Sequence, residues 1–140
     1  MGSSFGGYAA AMGAVKTPNL YRCVISINGV YDLPKHLRDL NKLLFSDINK
    51  MINNQYGDAK NFSPYHLAEQ VIAPMLIIGG EKDTVVPIEQ SRKMLKRLKK
   101  YKKQVEYVEL PDGEHWRTIE KNEIAKLTAI GKFLSVHLDD

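Results

Sequence analysis

Met1-Gly2-Ser3-Ser4-Phe5-Gly6-Gly7-Tyr8 opens the chain, and the rest is read outward from it. It contains Gly-x-Ser-x-Gly with Ser4 at the centre. In this pattern a strand ends, turns sharply and becomes a helix. The turn holds the central serine in a strained backbone conformation and lifts its hydroxyl clear of the sheet. Gly2 and Gly6 suit the turn because a Cβ at either place is expected to crowd the neighbouring backbone. Alone the pattern is not specific, since flexible Gly/Ser linkers look similar. Segments further along must supply the groups that make a serine reactive.

The chain continues as alternating helices and strands. Tyr8 to Val15 is Ala-rich, which lets a helix approach a sheet closely, and Thr17-Pro18-Asn19 stops it. Cys23 to Ile27 reads as a short buried strand ending at Asn28-Gly29. Leu37, Leu40, Leu44, Ile48 and Met51 recur at helical steps and predict an amphipathic helix from about Lys35 to Asn53. Residues 61–70 read as a loop around Ser63-Pro64. Met75 to Ile78 is a second buried strand, closed by Gly79-Gly80. Pro87 suits the first turn of the next helix, which carries Ile88, Met94, Leu95 and Leu98 inward. Val105 to Leu110 alternates as a third strand and ends at the turn Pro111-Asp112-Gly113. The last helix is predicted to bury Ile124, Leu127, Ile130, Phe133, Leu134 and Leu138. The order implies a parallel α/β sheet with helices on both faces.

Composition narrows the function. With 140 residues, 44% of them hydrophobic and 26% charged, the chain is sized and composed for one globular domain. No apolar run approaches the roughly 20 residues that span a bilayer. No basic segment followed by an apolar one marks a signal peptide, so a cytoplasmic location is expected. Cys23, the single cysteine, sits in an apolar run and reads as a small core residue. Lys93 to Lys103 holds seven cations and no anion, although the whole chain is only +4. Without a nucleic-acid motif, that run reads as a solvated helix face, and neither nucleic acid nor membrane is expected as a partner. No Cys or His spacing suits a metal, and no cofactor is expected.

Ser4, Asp83 and His115 each follow a strand, and such loops gather at one edge of a parallel sheet. A serine hydroxyl needs a base to take its proton. Histidine does this near neutral pH, and a carboxylate fixes its tautomer. His36 and His66 precede Asp83 and read as surface or cap residues, while His137 lies in the last helical turn. Asp32 reads as a helix cap and Asp112 as turn chemistry.

The three loops together resemble those of the prolyl oligopeptidase family, which includes the dipeptidyl and acylaminoacyl peptidases. Gly2-Ser3-Ser4-Phe5-Gly6-Gly7-Tyr8 is similar to its Gly-x-Ser-x-Gly-Gly-Tyr elbow. Gly80 with Asp83, Val86, Pro87 and Gln90 resembles its acid loop, and Pro111-Asp112-Gly113-Glu114-His115 its base loop. The resemblance implies an α/β-hydrolase fold and a Ser4–Asp83–His115 triad that hydrolyses peptide bonds of short peptides. It implies that the Phe5 N–H serves the oxyanion, and that Phe5, Val30 and Val86 line the pocket for the residue before the scissile bond. Trp116 departs from the pattern, because a glycine often follows the histidine in the family.

The family's catalytic domain has several strands before the elbow, whereas here Met1 directly precedes Gly2. The expectation is therefore the C-terminal half of such a domain over residues 1–140, with about three parallel strands, poorly active alone. The edge of the Cys23–Ile27 strand is expected to lack its neighbour and to drive homo-oligomer formation. The alternatives are a carboxylesterase-type hydrolase and a non-catalytic interaction module.

Overall fold

The structure, a computed structural model, describes residues 1–41, 57–117 and 119–138. Four parallel strands form one sheet in the order β1 (Gly2–Ser3), β2 (Val24–Ile27), β3 (Met75–Gly80) and β4 (Val105–Leu110). Between them run α1 (Phe5–Lys16), α2 (Leu33–Asn41) and α3 (Glu89–Lys100), and α4 (Glu120–Leu138) ends the chain. Of two 3₁₀ turns, Ala59–Phe62 begins before the segment read as a loop and runs into it, and Ala68–Gln70 lies within it. The expected helix from Lys35 to Asn53 is present in its first part, and Leu44, Ile48 and Met51 lie outside the described residues.

Period-two alternation divides the strands between two cores. Val24, Met75 and Ile77 face Ala11, Ala14 and Val15 of α1 together with Met94 and Leu98 of α3. Ile25, Leu76, Ile78 and Leu110 face Ile130 and Phe133 of α4. The central strand β3 is buried along its whole length, as a strand covered on both faces must be. Helices α1 and α3 on one face and α4 on the other follow from right-handed crossovers. The described part of α2 instead packs against the Ala59–Phe62 turn.

Two expectations change. The sheet has a fourth strand: Gly2–Ser3 pairs in parallel with Ser26 and Ile27. The edge of β2 is thus covered at its C-terminal half, because the elbow itself must enter along the sheet to aim Ser4. The apolar side of α4 is also narrower than periodicity suggested. Ile130 and Phe133 are buried, whereas Ile124, Leu127 and Leu138 are exposed. The apolar side of the helix is one broad arc, and the sheet covers only the part that carries Ile130 and Phe133.

The basic run in α3 is partly built in. Lys93 pairs with Asp32 at 3.1 Å, and the Arg97 guanidinium lies 4.8 Å from the Tyr65 ring and 5.5 Å from the Tyr101 ring. Lys96, Lys99 and Lys100 are exposed, as a solvated face requires.

Asp32 caps α2, its Oδ1 accepting from the Lys35 N–H at 3.1 Å. Burial opposes its ionisation, but the Lys35 N–H and the Lys93 ammonium outweigh burial and hold the carboxyl below the usual carboxylate range. A group depressed in the folded state adds stability that is present above its unfolded pKa and lost as pH falls through the folded value. Asp32→Asn should therefore cost on the order of 1 kcal/mol at neutral pH. The gap between variant and wild type should shrink as pH drops below about 4. Urea midpoints across that range test it, and a gap constant down to pH 3 would contradict the ion pair.

Candidate active site

Ser4 stands between β1 and α1 with φ 56° and ψ −120°. A non-glycine residue in that region is strained and must be held there. Its N–H donates to the Ile27 carbonyl at 2.9 Å, and its carbonyl accepts from the Tyr8 N–H at 3.1 Å. A Cβ on Gly2 would lie 2.1 Å from the Gly6 carbonyl oxygen. A Cβ on Gly7 would lie 2.7 Å from the Ile27 oxygen. At Gly6 a Cβ would meet nothing within 4 Å, contrary to expectation. The backbone of Gly6 is what Gly2 packs against, so the crowding arises at Gly2 and Gly7.

Asp83 lies in the loop after β3. Its Oδ1 accepts from the Val85 and Val86 N–H groups at 2.9 and 2.8 Å, which orients the carboxylate. His115 follows the turn after β4. The two loops are joined by backbone bonds, Lys82 N–H to the Gly113 carbonyl at 2.8 Å and Glu81 N–H to the Leu110 carbonyl at 3.0 Å. Gly80 permits this approach, since a Cβ there would stand 2.6 Å from the Gly113 oxygen.

These elements bring the three residues together. His115 Nδ1 lies 2.7 Å from Asp83 Oδ2, and its Nε2 lies 2.9 Å from Ser4 Oγ. A carboxylate only accepts, so Nδ1 carries the proton and Nε2 is left to accept from the serine hydroxyl. The side chains of His115 and Asp83 are 3% and 1% exposed. Phe5 opens α1, and the first N–H groups of a helix have no partner within it. The Phe5 N–H is thus available beside Ser4.

Three other residues weighed from the sequence lie elsewhere. His66 Nε2 is 3.7 Å from Asp32, His137 packs its ring on Phe133, and Asp112 pairs with Lys82 at 2.5 Å. Among the described residues no group of His, Cys, Asp or Glu gathers as a metal site would need. Among the same residues no helix is long and apolar enough to cross a membrane.

A cleft of about 710 Å³ opens beside Ser4, and Phe5, Val30 and Val86 all line it. Sequence reasoning missed Tyr8, His36 and Phe62 in its walls. Tyr8 donates its hydroxyl proton to the Phe62 carbonyl at 2.8 Å, which joins α1 to the Ala59–Phe62 turn. Burial holds the His36 imidazole below its ordinary range, against the opposing pull of Asp39. Tyr8 belongs to the quoted elbow and could have been found there. His36 and Phe62 reach the cleft only through the tertiary fold. Trp116 meets the His115 ring edge-on, with centroids 4.4 Å apart, and is 80% exposed.

Known proteins resemble this chain in sequence and in fold. Dipeptidyl aminopeptidase BIII of Pseudoxanthomonas mexicana is 30% identical over 123 residues, covering 82% of this chain and 18% of the relative. Esterase LipC of Mycobacterium tuberculosis is 31% identical over 98 residues, covering 66% of this chain and 24% of the relative. The solved structure of a Mycobacterium tuberculosis puromycin-hydrolyzing peptidase superposes with a TM-score of 0.85 at 22% identity, over 99% of this chain and 21% of its own. The chain spans less than a quarter of the length of each. The superposition identifies the sheet and its helices as part of an α/β-hydrolase fold. The prolyl oligopeptidase family model matches residues 1–140, and the chain belongs to that family.

Proposed function

We propose that this chain carries the reacting groups of a serine peptidase that hydrolyses short peptides. The observation that carries the reading is the relay Ser4 Oγ–His115 Nε2 and His115 Nδ1–Asp83, anchored on a serine held at positive φ. In this mechanism Ser4 Oγ attacks the scissile carbonyl carbon while His115 Nε2 takes its proton. Asp83 keeps the imidazole oriented and stabilises its cation. The Phe5 N–H donates to the oxyanion, and the cleft lined by Phe5, Val30 and Val86 receives the side chain before the scissile bond. His115 then returns the proton to the leaving amine. Water, deprotonated by the same imidazole, releases the acyl group from Ser4.

The chemistry of a triad serves esters as well as amides. The likeness to esterase LipC favours a second reading, a carboxylesterase. Incubation of the chain with a fluorophosphonate, followed by peptide mapping, tests the shared core of both readings. The adduct is expected on Ser4, and an adduct on another serine would refute the assignment. Comparing an aryl ester with a dipeptide anilide then separates them, since a carboxylesterase should leave the anilide intact.

A further inference from the structure

Besides the elbow with Ser4, Phe5 and Tyr8, the walls of the cleft come from three segments far apart in the chain. Val30 and Leu33 follow β2, Phe62 ends a 3₁₀ turn, and Val86 belongs to the acid loop. Proximity in sequence cannot fix their spacing. Two buried side chains do so, both acting on the backbone of Tyr31–Leu33.

Gln90 lies in the first turn of α3 and is 3% exposed. Its Oε1 accepts from the N–H groups of Tyr31 and Asp32 at 3.0 and 2.7 Å, and its Nε2 donates to the Asp32 carbonyl at 3.2 Å. Its own N–H donates to the Pro87 carbonyl at 2.9 Å, so it is fixed to the end of the loop that carries Asp83 and Val86. Ser63 is fully buried beside Phe62. Its Oγ donates to the Tyr31 carbonyl at 2.7 Å and accepts from the Leu33 N–H at 3.1 Å. The Asp32 carboxylate partners only the Lys35 N–H at the start of α2, so Ser63 also satisfies the Leu33 N–H of that first turn. The common effect of the Gln90 and Ser63 bonds is to tie the acid loop and the Ala59–Phe62 turn to the segment between Val30 and Leu33.

We propose that Gln90 and Ser63 are positioning residues that set the shape of this cleft for a large apolar or aromatic side chain. Among its described lining residues there is no carboxylate, lysine or arginine, and Phe5, Tyr8 and Phe62 present rings. Pocket residues of this kind reward contact area and reject unpaired charge. The proposal rests on the reading of the cleft as the substrate's, and its test is separable from the chemistry of Ser4.

The test is NMR titration of the chain with N-acetylphenylalanine amide and with N-acetylalanine amide, which reads the cleft without any reaction. Fluorophosphonate labelling reads Ser4 separately. The wild type should prefer the aromatic amide. In Gln90→Met, which leaves the Tyr31 and Asp32 N–H groups without their acceptor, that preference should fall about tenfold. Ser63→Ala should act in the same direction. Gln90→Glu keeps the acceptor oxygens and should fall less, which a general loss of stability would not produce. Gln90→Glu and Ser63→Ala carry the test if Gln90→Met does not fold. An unchanged preference in folded variants, or no preference in the wild type, overturns the proposal. Absent labelling with the preference falling as expected overturns the role of Ser4 and leaves the cleft assignment standing.

Discussion

Replacing His115 by alanine should slow the reaction of Ser4 with an activated ester by about 10⁴-fold or more. The hydroxyl then has no base at 2.9 Å to take its proton. Ser4→Ala should be at least as damaging, and the double variant no worse than either single one, because the groups act as a unit. Asp83→Asn should lose a comparable factor. An asparagine can offer N–H toward Nδ1, which favours the imidazole tautomer that cannot accept from Ser4. Its remaining oxygen could still accept from Val85 and Val86, so the fold around it should persist. Single-turnover acylation rates measure all four. A His115→Ala variant within tenfold of the wild type would show that the relay is not the reacting unit.

Gly7→Ala should lower the stability of the folded chain by about 2 kcal/mol or more. The new Cβ would meet the Ile27 carbonyl oxygen at 2.7 Å and the Ser26 Oγ at 3.1 Å. Neither can give way cheaply. The Ile27 carbonyl holds the Ser4 N–H, and the Ser26 Oγ is engaged with the Gly7 carbonyl at 2.8 Å and the Tyr31 hydroxyl at 2.7 Å. Relief must come from α1 moving off the sheet, which carries Ser4 away from His115. Gly6→Ala is the control, one residue away in the same helix. Its Cβ meets open space, and alanine is favoured over glycine in a helix by about 1 kcal/mol. Thermal midpoints should rise or hold for Gly6→Ala and fall for Gly7→Ala. Equal effects at the two positions would refute the packing argument.

Residues with local causes were legible in the sequence. The strand from Val105 to Leu110 and the stop at Thr17 follow from alternation and turn chemistry, and both are observed. Ser4, Asp83 and His115 were legible because a parallel sheet brings every loop that follows a strand to one edge. Burial was less legible. Periodicity marks Ile124 and Ile130 alike, but only tertiary packing decides that Ile130 meets the sheet while Ile124 faces outward. The same limit hid His36 and Phe62, whose places in the cleft depend on how α2 meets the Ala59–Phe62 turn. Gly6 and Gly7 look equivalent as letters, and only the path of β2 beneath them distinguishes their roles.

Trp116 is the single tryptophan of the chain, and its indole stands against the imidazole of His115. The chain therefore has one dominant fluorophore, and it sits against the imidazole whose Nε2 lies 2.9 Å from Ser4 Oγ. Emission reports the polarity and quenching groups around an indole, so a molecule that displaces water from this rim must alter the spectrum. Binding beside His115 can then be followed optically, in real time and without a label, even for ligands that never react.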